Sequence, residues 1–66
     1  MHALDIYRSA KLLIDRYGDQ ALGQAKFRVI SMRQDGDPAG EAVWQAILKA
    51  VGELQRTLRG PSEAEH

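Results

Sequence analysis

The feature that most constrains the fold is a run of apolar residues at helical spacing in the second half of the chain. Between Val43 and Leu58 these residues recur every three or four positions, which places them on one side of an α-helix. Asp37 precedes the run and suits the N-cap, and Pro38 suits the first helical position. Gly60-Pro61 follows it. The pattern therefore predicts a helix over residues 38–59.

Two further helices are predicted before this one. Apolar residues from Ile6 to Tyr17 keep the helical period and indicate a helix over residues 5–17. Gly18 suits the left-handed conformation that commonly closes a helix. A second helix is predicted over residues 20–34, with a thin, alanine-rich apolar stripe that ends before Gly36.

The predicted fold class is all-α. Helices joined by such short turns form a small three-helix bundle with antiparallel neighbours. The domain spans residues 1–60, and residues 61–66 have no apolar anchor, so we expect a disordered, flexible C-terminal tail. Trp44 can be read either as core or as a partly exposed contact residue. The stripes predict a core made of Leu13, Ile14, Tyr17, Val29, Val43, Trp44, Ile47, Leu48, Val51 and Leu54.

Length, charge and cysteine content limit the class of protein. The chain has 66 residues, which suffices for one domain. It has no cysteine, so we expect neither disulfides nor a thiolate metal site. Nine basic residues balance nine acidic ones, which gives no overall attraction to nucleic acid or anionic lipid.

The N-terminal region predicts neither a signal peptide nor a membrane anchor. Asp5 and Arg8 interrupt the apolar stretch that a secretory signal needs. The longest purely apolar run is Leu12-Leu13-Ile14, whereas a membrane span needs about 20 residues. We therefore expect a cytoplasmic protein with no membrane contact.

Candidate catalytic and ligand-binding residues do not converge in the sequence. The two histidines, His2 and His66, lie at opposite ends of the chain. Asp35, Asp37 and Glu41 look like a fragment of a calcium loop, but Pro38 interrupts the spacing that such a loop needs. We interpret these acids as helix-terminal residues. We expect no enzymatic activity, no cofactor, no metal and no small-molecule substrate.

The second helix carries an additional apolar face. Gly23, Phe27 and Ile30 lie at helical spacing opposite the alanine-rich stripe, and Lys26 and Arg33 flank them. In one interpretation Phe27 and Ile30 fill the groove against the third helix. In the other they form an interface for an unknown protein partner or a homodimer. The leading functional hypothesis is thus a protein-protein interaction or self-association module.

Nucleic-acid binding is the alternative hypothesis, because many small helical domains bind DNA. It would use Lys26 and Arg33, with Arg56 or Arg59. Successive residues of an α-helix are rotated by about 100°, so Arg28 points away from Lys26 and Arg33. Because phosphate binding needs several aligned cations, we rank this function below protein interaction.

Two stretches carry a family resemblance. They are AKLLIDRYGDQALGQA, residues 10–25, and GDPAGEAVWQAILKAVGELQ, residues 36–55. With its Tyr-Gly-Asp turn and its Gly-Asp-Pro-x-Gly-x-x-Val-Trp helix start, the chain resembles a group of short, uncharacterised bacterial all-helical proteins, a domain of unknown function. The resemblance implies an all-helical, cytoplasmic bacterial protein and assigns no functional residue. The second hairpin also looks loosely like one tetratricopeptide-type unit, but such repeats need about three copies to bury a core.

Overall fold

The protein is helical through nearly all of the chain that the structure describes. The structure, a computed structural model, describes the backbone of residues 3–64 and the side chains of residues 4–57. Its elements in chain order are helix α1 (Ala3–Tyr17), a 3-10 turn (Gly18–Gln20), helix α2 (Ala21–Gln34) and helix α3 (Pro38–Ala64). These described residues include no strand. The predicted all-α class is confirmed.

Helix α3 is the element whose length differs most from the prediction. It continues through Gly60 and Pro61 to Ala64 instead of ending at Arg59. Extending a helix that has already formed needs no new nucleus, so this unfavourable pair does not stop it at once. Part of the predicted flexible tail is therefore helical. Glu65 and His66 lie outside the described residues, as does the side chain of Leu58.

The first turn depends on a glycine in the left-handed region. Gly18 has a φ of 57°, which only glycine adopts without a steric penalty, and it follows the last residue of α1. The N-cap position of α2 falls on Gln20, whose side chain makes no capping hydrogen bond. From α3, Gln55 Nε2 donates to the Gly18 carbonyl oxygen at 2.9 Å. The turn is thus held by α3.

The second turn ends α2 and begins α3 within three residues. Gly36 is left-handed, with a φ of 71°. The Gly36 N–H donates to the Arg33 carbonyl at 3.1 Å, and the Asp37 N–H donates to the Met32 carbonyl at 2.9 Å. These two bonds form a Schellman motif. Asp37 Oδ1 then accepts the N–H of Gly40 at 2.9 Å, so the predicted N-cap of α3 is confirmed.

Helices α2 and α3 form an antiparallel hairpin beyond this turn. Late α2 lies beside early α3, where Arg33 meets Glu41 and Arg28 meets Trp44. The start of α2 lies beside the later part of α3, since Gly18 just before α2 accepts the bond from Gln55. Helix α1 also packs on α3, and α1 and α2 share a smaller contact. Helix α3 is therefore the element on which both others rest.

Small residues dominate the centre of the fold. Four alanines are at most 3% exposed, and three larger residues are at most 7% exposed; the set is Ala10, Ala21, Ala25, Val29, Ile47, Ala50 and Val51. Larger side chains surround the central cluster and are partly buried; they are Ile6, Leu13, Ile14, Leu22, Val43, Trp44 and Leu54. Alanines at the contact let the helix backbones approach closely. Most of the large apolar side chains therefore surround the contact between the helices and do not lie at its centre.

This arrangement corrects part of the predicted core. Val29, Ile47 and Val51 are buried as predicted. Most other predicted core residues are only partly buried: Leu13, Ile14, Val43, Trp44, Leu48 and Leu54. Tyr17 is 40% exposed, so the prediction that it belongs to the core is wrong. It is the last residue of α1, directly before the left-handed Gly18, and the chain turns away there before a neighbouring helix covers the ring.

A hydrogen bond on the surface connects α1 to α3. The Tyr7 hydroxyl donates to Glu53 Oε2 at 3.1 Å. This bond, followed by the negative charge of Glu53, raises the pKa of the Tyr7 phenol above its ordinary value of 10.0. A raised pKa means that folding favours the protonated phenol. The contribution is therefore present below pH 10 and is lost as the pH rises through the folded-state pKa.

The cap of α3 generates the first prediction. An ideal Cβ added at Gly40 would lie 2.5 Å from Asp37 Oδ2 and 2.8 Å from Met32 Sδ. Gly40→Ala should therefore displace the capping carboxylate, at a cost of about 1 kcal/mol of stability. That loss offsets the gain of up to about 1 kcal/mol that alanine normally brings in a helix. Chemical denaturation should show no net stabilisation.

The control for this prediction is the same change in a chain that lacks the cap. Asp37→Ala alone should lower the free energy of unfolding by about 1 kcal/mol. In the Asp37→Ala chain, Gly40→Ala has no carboxylate to displace and meets only the flexible Met32 side chain, so it should cost less stability than in the wild-type chain or add some. An equal effect of Gly40→Ala in both backgrounds would contradict the coupling.

The second prediction concerns the Tyr7 phenol. In a Tyr17→Phe chain, Tyr7 is the remaining tyrosine, so ultraviolet absorbance of the phenolate reports on it alone. We expect its titration midpoint to lie above 10.0. Glu53→Gln should move the midpoint back toward that ordinary value, because the neutral amide removes the charge. A midpoint that Glu53→Gln does not change would show that Glu53 is not the cause.

Candidate interaction surfaces

The exposed side of α2 carries two large apolar residues. Phe27 is 62% exposed and Ile30 is 50% exposed, and Gly23 lies one turn before Phe27. The opposite side of α2 holds the buried Ala21, Ala25 and Val29. We call Gly23, Phe27 and Ile30 the outer face of α2. Of the two interpretations from sequence, the groove against α3 is wrong, because α3 covers the other side of the helix.

The two cations beside the outer face differ in their environment. Lys26 is exposed. Arg33 contacts Glu41 of α3, with Nε and Nη2 each 2.9 Å from Oε2. Gln45 Nε2 donates to the same carboxylate oxygen at 3.3 Å. The charge of Arg33 is therefore compensated within the chain, and Lys26 is the cation that remains beside the outer face.

Gly23 leaves a gap on the outer face. An ideal Cβ at this position would have no atom within 4 Å among the described residues. Gly23 also has an ordinary helical conformation, since the described glycines with positive φ are Gly18 and Gly36. Neither packing nor backbone geometry within the chain explains a glycine here, which costs a helix about 1 kcal/mol relative to alanine.

A second surface lies between the helices on another side of the molecule. It is an open cleft of about 310 Å³, and we call it the arginine cleft. It is lined by Ser9, Leu12, Leu13, Arg16, Tyr17, Gln24, Arg28 and Trp44. The Arg28 guanidinium lies over the Trp44 ring, with Cζ 5.6 Å from the ring centroid. Trp44 is thus both a partly buried residue beside the core and a wall of this cleft.

Sequence reasoning missed the arginine cleft. Its cations are twelve residues apart on different helices, and its aromatic residues come from α1 and α3. No helical period within a single segment groups them. The one available signal was that Arg28 does not share a face with Lys26 and Arg33, which leaves it directed toward a neighbouring helix.

Of the cations proposed for nucleic acid, those with described side chains lie on two different helices. Arg33 pairs with Glu41, and Lys26 is exposed on the same helix. Arg56 is exposed near the other end of α3, and the side chain of Arg59 lies outside the described part. Because affinity for phosphates needs several aligned, uncompensated cations, this arrangement gives the nucleic-acid alternative little support.

The described residues contain neither a cluster of metal-ligating side chains nor a membrane-spanning helix. Within them, no three histidine, cysteine, aspartate or glutamate side chains are placed to hold a metal ion. None of their helices has the length and apolar character needed to cross a membrane. His2 and His66 lie outside the described residues.

Comparison with known proteins assigns no function to these surfaces. None of the family models, curated proteins or solved structures compared with the chain matches it. The resemblance to short bacterial helical proteins therefore stays a prediction from the sequence.

Proposed function

We propose that this chain is a small helical interaction module without catalytic activity, and that it docks through the outer face of α2. The proposal treats α1, α2 and α3 as an antiparallel three-helix bundle that holds this face rigidly. A cytoplasmic location is part of the proposal and rests on the sequence alone. The observation that carries it is the exposure of Phe27 and Ile30.

The energetic argument concerns the small size of the domain. Burying a large apolar side chain stabilises a fold by about 1.5–3 kcal/mol, and a chain of this length has few such residues to use. Phe27 and Ile30 nevertheless lie outside the core. Covering both with another protein surface would recover apolar burial that the single chain leaves unused.

The occupant we propose is a second copy of the chain. Phe27 projects from the outer face, and Gly23 leaves open space one helical turn away on the same face. Two antiparallel copies of α2 related by a two-fold axis can place Phe27 of each copy over Gly23 of the other. Such reciprocity is what a two-fold interface requires.

The charges at the edge are compatible with this pairing. A two-fold axis brings like residues near one another, so uncompensated cations would oppose association. Arg33 pairs with Glu41, so among the described side chains Lys26 is the unpaired cation beside the outer face of each copy. Two exposed ammonium groups in water repel weakly and are screened by salt.

The third prediction tests the apolar centre of the proposed interface. Phe27→Asp places a charge where two copies would meet, so it should make the protein monomeric and leave its helix content intact. Light scattering during size-exclusion chromatography measures the mass, and circular dichroism measures the fold. Leu4→Asp is the matched control, because Leu4 is 65% exposed on α1 and off the proposed interface.

Two outcomes would reject this proposal. One is a wild-type chain that is folded and monomeric at high concentration; the outer face would then not bind a second copy. The other is equal dissociation by Leu4→Asp and Phe27→Asp, which would show that the position of the apolar residue does not matter.

The fourth prediction separates stability from association. Gly23→Ala should raise the stability of the monomer by up to about 1 kcal/mol, because alanine favours the helix and meets no atom within the chain. It should also weaken association, because the added methyl group occupies the gap opposite Phe27. Thermal melting in dilute solution and sedimentation at high concentration measure the two effects. Stabilisation with unchanged association would contradict the proposed pairing of Phe27 with Gly23.

A further inference from the structure

Among the side chains of residues 4–57, the two cations of the arginine cleft have no acidic partner. The ion pair present among the side chains of residues 4–57 is that of Arg33 with Glu41. Neither of these two residues lines the cleft. Arg16 and Arg28 both line the cleft and have no carboxylate of residues 4–57 within ion-pair distance. Placing two guanidinium groups around one concavity makes it attractive to an anion.

The contact with Trp44 prepares Arg28 to bind such an anion. A guanidinium that lies over an aromatic ring is stabilised by the ring electrons and held in orientation. The guanidinium has five N–H donors, so contact with one ring leaves donors available. No hydrogen bond from Arg28 to another described side chain is present, and its donors are available to a ligand. A carboxylate matches this planar fork with two parallel hydrogen bonds.

The rest of the cleft suits an apolar ring. Leu12 is 59% exposed and Tyr17 is 40% exposed, and both contribute to the lining. A volume of about 310 Å³ is at the small end of ligand pockets, which excludes a large substrate but admits a bicyclic ring. Gln24 adds an amide that can donate to an anion.

From these features we infer that the arginine cleft binds a small aromatic carboxylate. The carboxylate pairs with Arg28 and Arg16, and the ring lies against Leu12 and Tyr17. This binding site is separate from the outer face of α2 and does not depend on self-association.

The test uses 2-naphthoate as the probe and its neutral analogue 2-naphthamide. The chain contains one tryptophan, so a single indole N–H resonance in the nuclear magnetic resonance spectrum reports on the cleft wall. We expect 2-naphthoate to shift this resonance in a saturable manner and 2-naphthamide to bind at least about tenfold more weakly, since it lacks the charge. Arg28→Gln and Arg16→Gln should each weaken 2-naphthoate binding by about tenfold or more.

Two controls separate this binding from other effects. Arg8→Gln removes an exposed cation of α1 that does not line the cleft, and it should leave the affinity unchanged. Phe27→Ala, which removes the apolar side chain without adding a charge beside Arg28, should also leave the affinity unchanged, so the cleft can be tested independently of the proposed dimer. Circular dichroism checks that each variant keeps its helix content. If Arg28→Gln does not fold, Arg16→Gln provides the test of the cleft.

The inference is overturned by any of three results. The first is no shift of the indole resonance up to the solubility limit of 2-naphthoate. The second is equal binding of the acid and the amide, which would indicate an apolar contact only. The third is an equal loss of affinity in Arg8→Gln and in the cleft variants, which would indicate unspecific attraction to exposed cations.

Discussion

Close contact between helices through alanine is the constraint from which the other features of this fold follow. Ala10, Ala21 and Ala25 are completely buried, and Ala50 nearly so. A methyl group at the contact keeps the backbones near each other, but it leaves little room there for large side chains. Leucine, isoleucine and aromatic residues therefore lie around the contact, where solvent reaches them in part. The exposed apolar residues of this chain are the counterpart of its alanine-rich centre.

Both candidate surfaces result from the position of the large apolar side chains around the helix contacts. Helix α2 buries one narrow, small-residue side, so Phe27 and Ile30 on its other side have no helix to cover them. In the arginine cleft, Leu12 and Tyr17 remain open to solvent, and a guanidinium lies over the Trp44 ring. Because α2 is fixed at both ends by turns that α3 helps to hold, these surfaces keep a constant position on the molecule.

The features that could be predicted from sequence are those that depend on neighbours along the chain. Gly18 and Gly36 adopt positive φ values, and Asp37 caps α3, because turn and cap chemistry is local. The exposure of Tyr17 and the arginine cleft depend on how far α1 lies from α2 and α3. A periodic stripe indicates which side of a helix faces inward, but it does not give that distance. The additional length of α3 shows that even a glycine-proline pair competes with the tendency of a long helix to continue.

Stability and binding compete for the same residues in a chain this short. Larger residues at Ala21 or Ala25 would separate α2 from its neighbours and disturb a contact that fixes the outer face. Apolar burial around that contact is incomplete, so the domain retains surface that another molecule can cover. Gly23 is a further example of this competition. It lowers the stability of the helix, and no contact within the chain compensates for that loss. In the proposed dimer, the reciprocal contact of Phe27 with Gly23 would compensate for that loss.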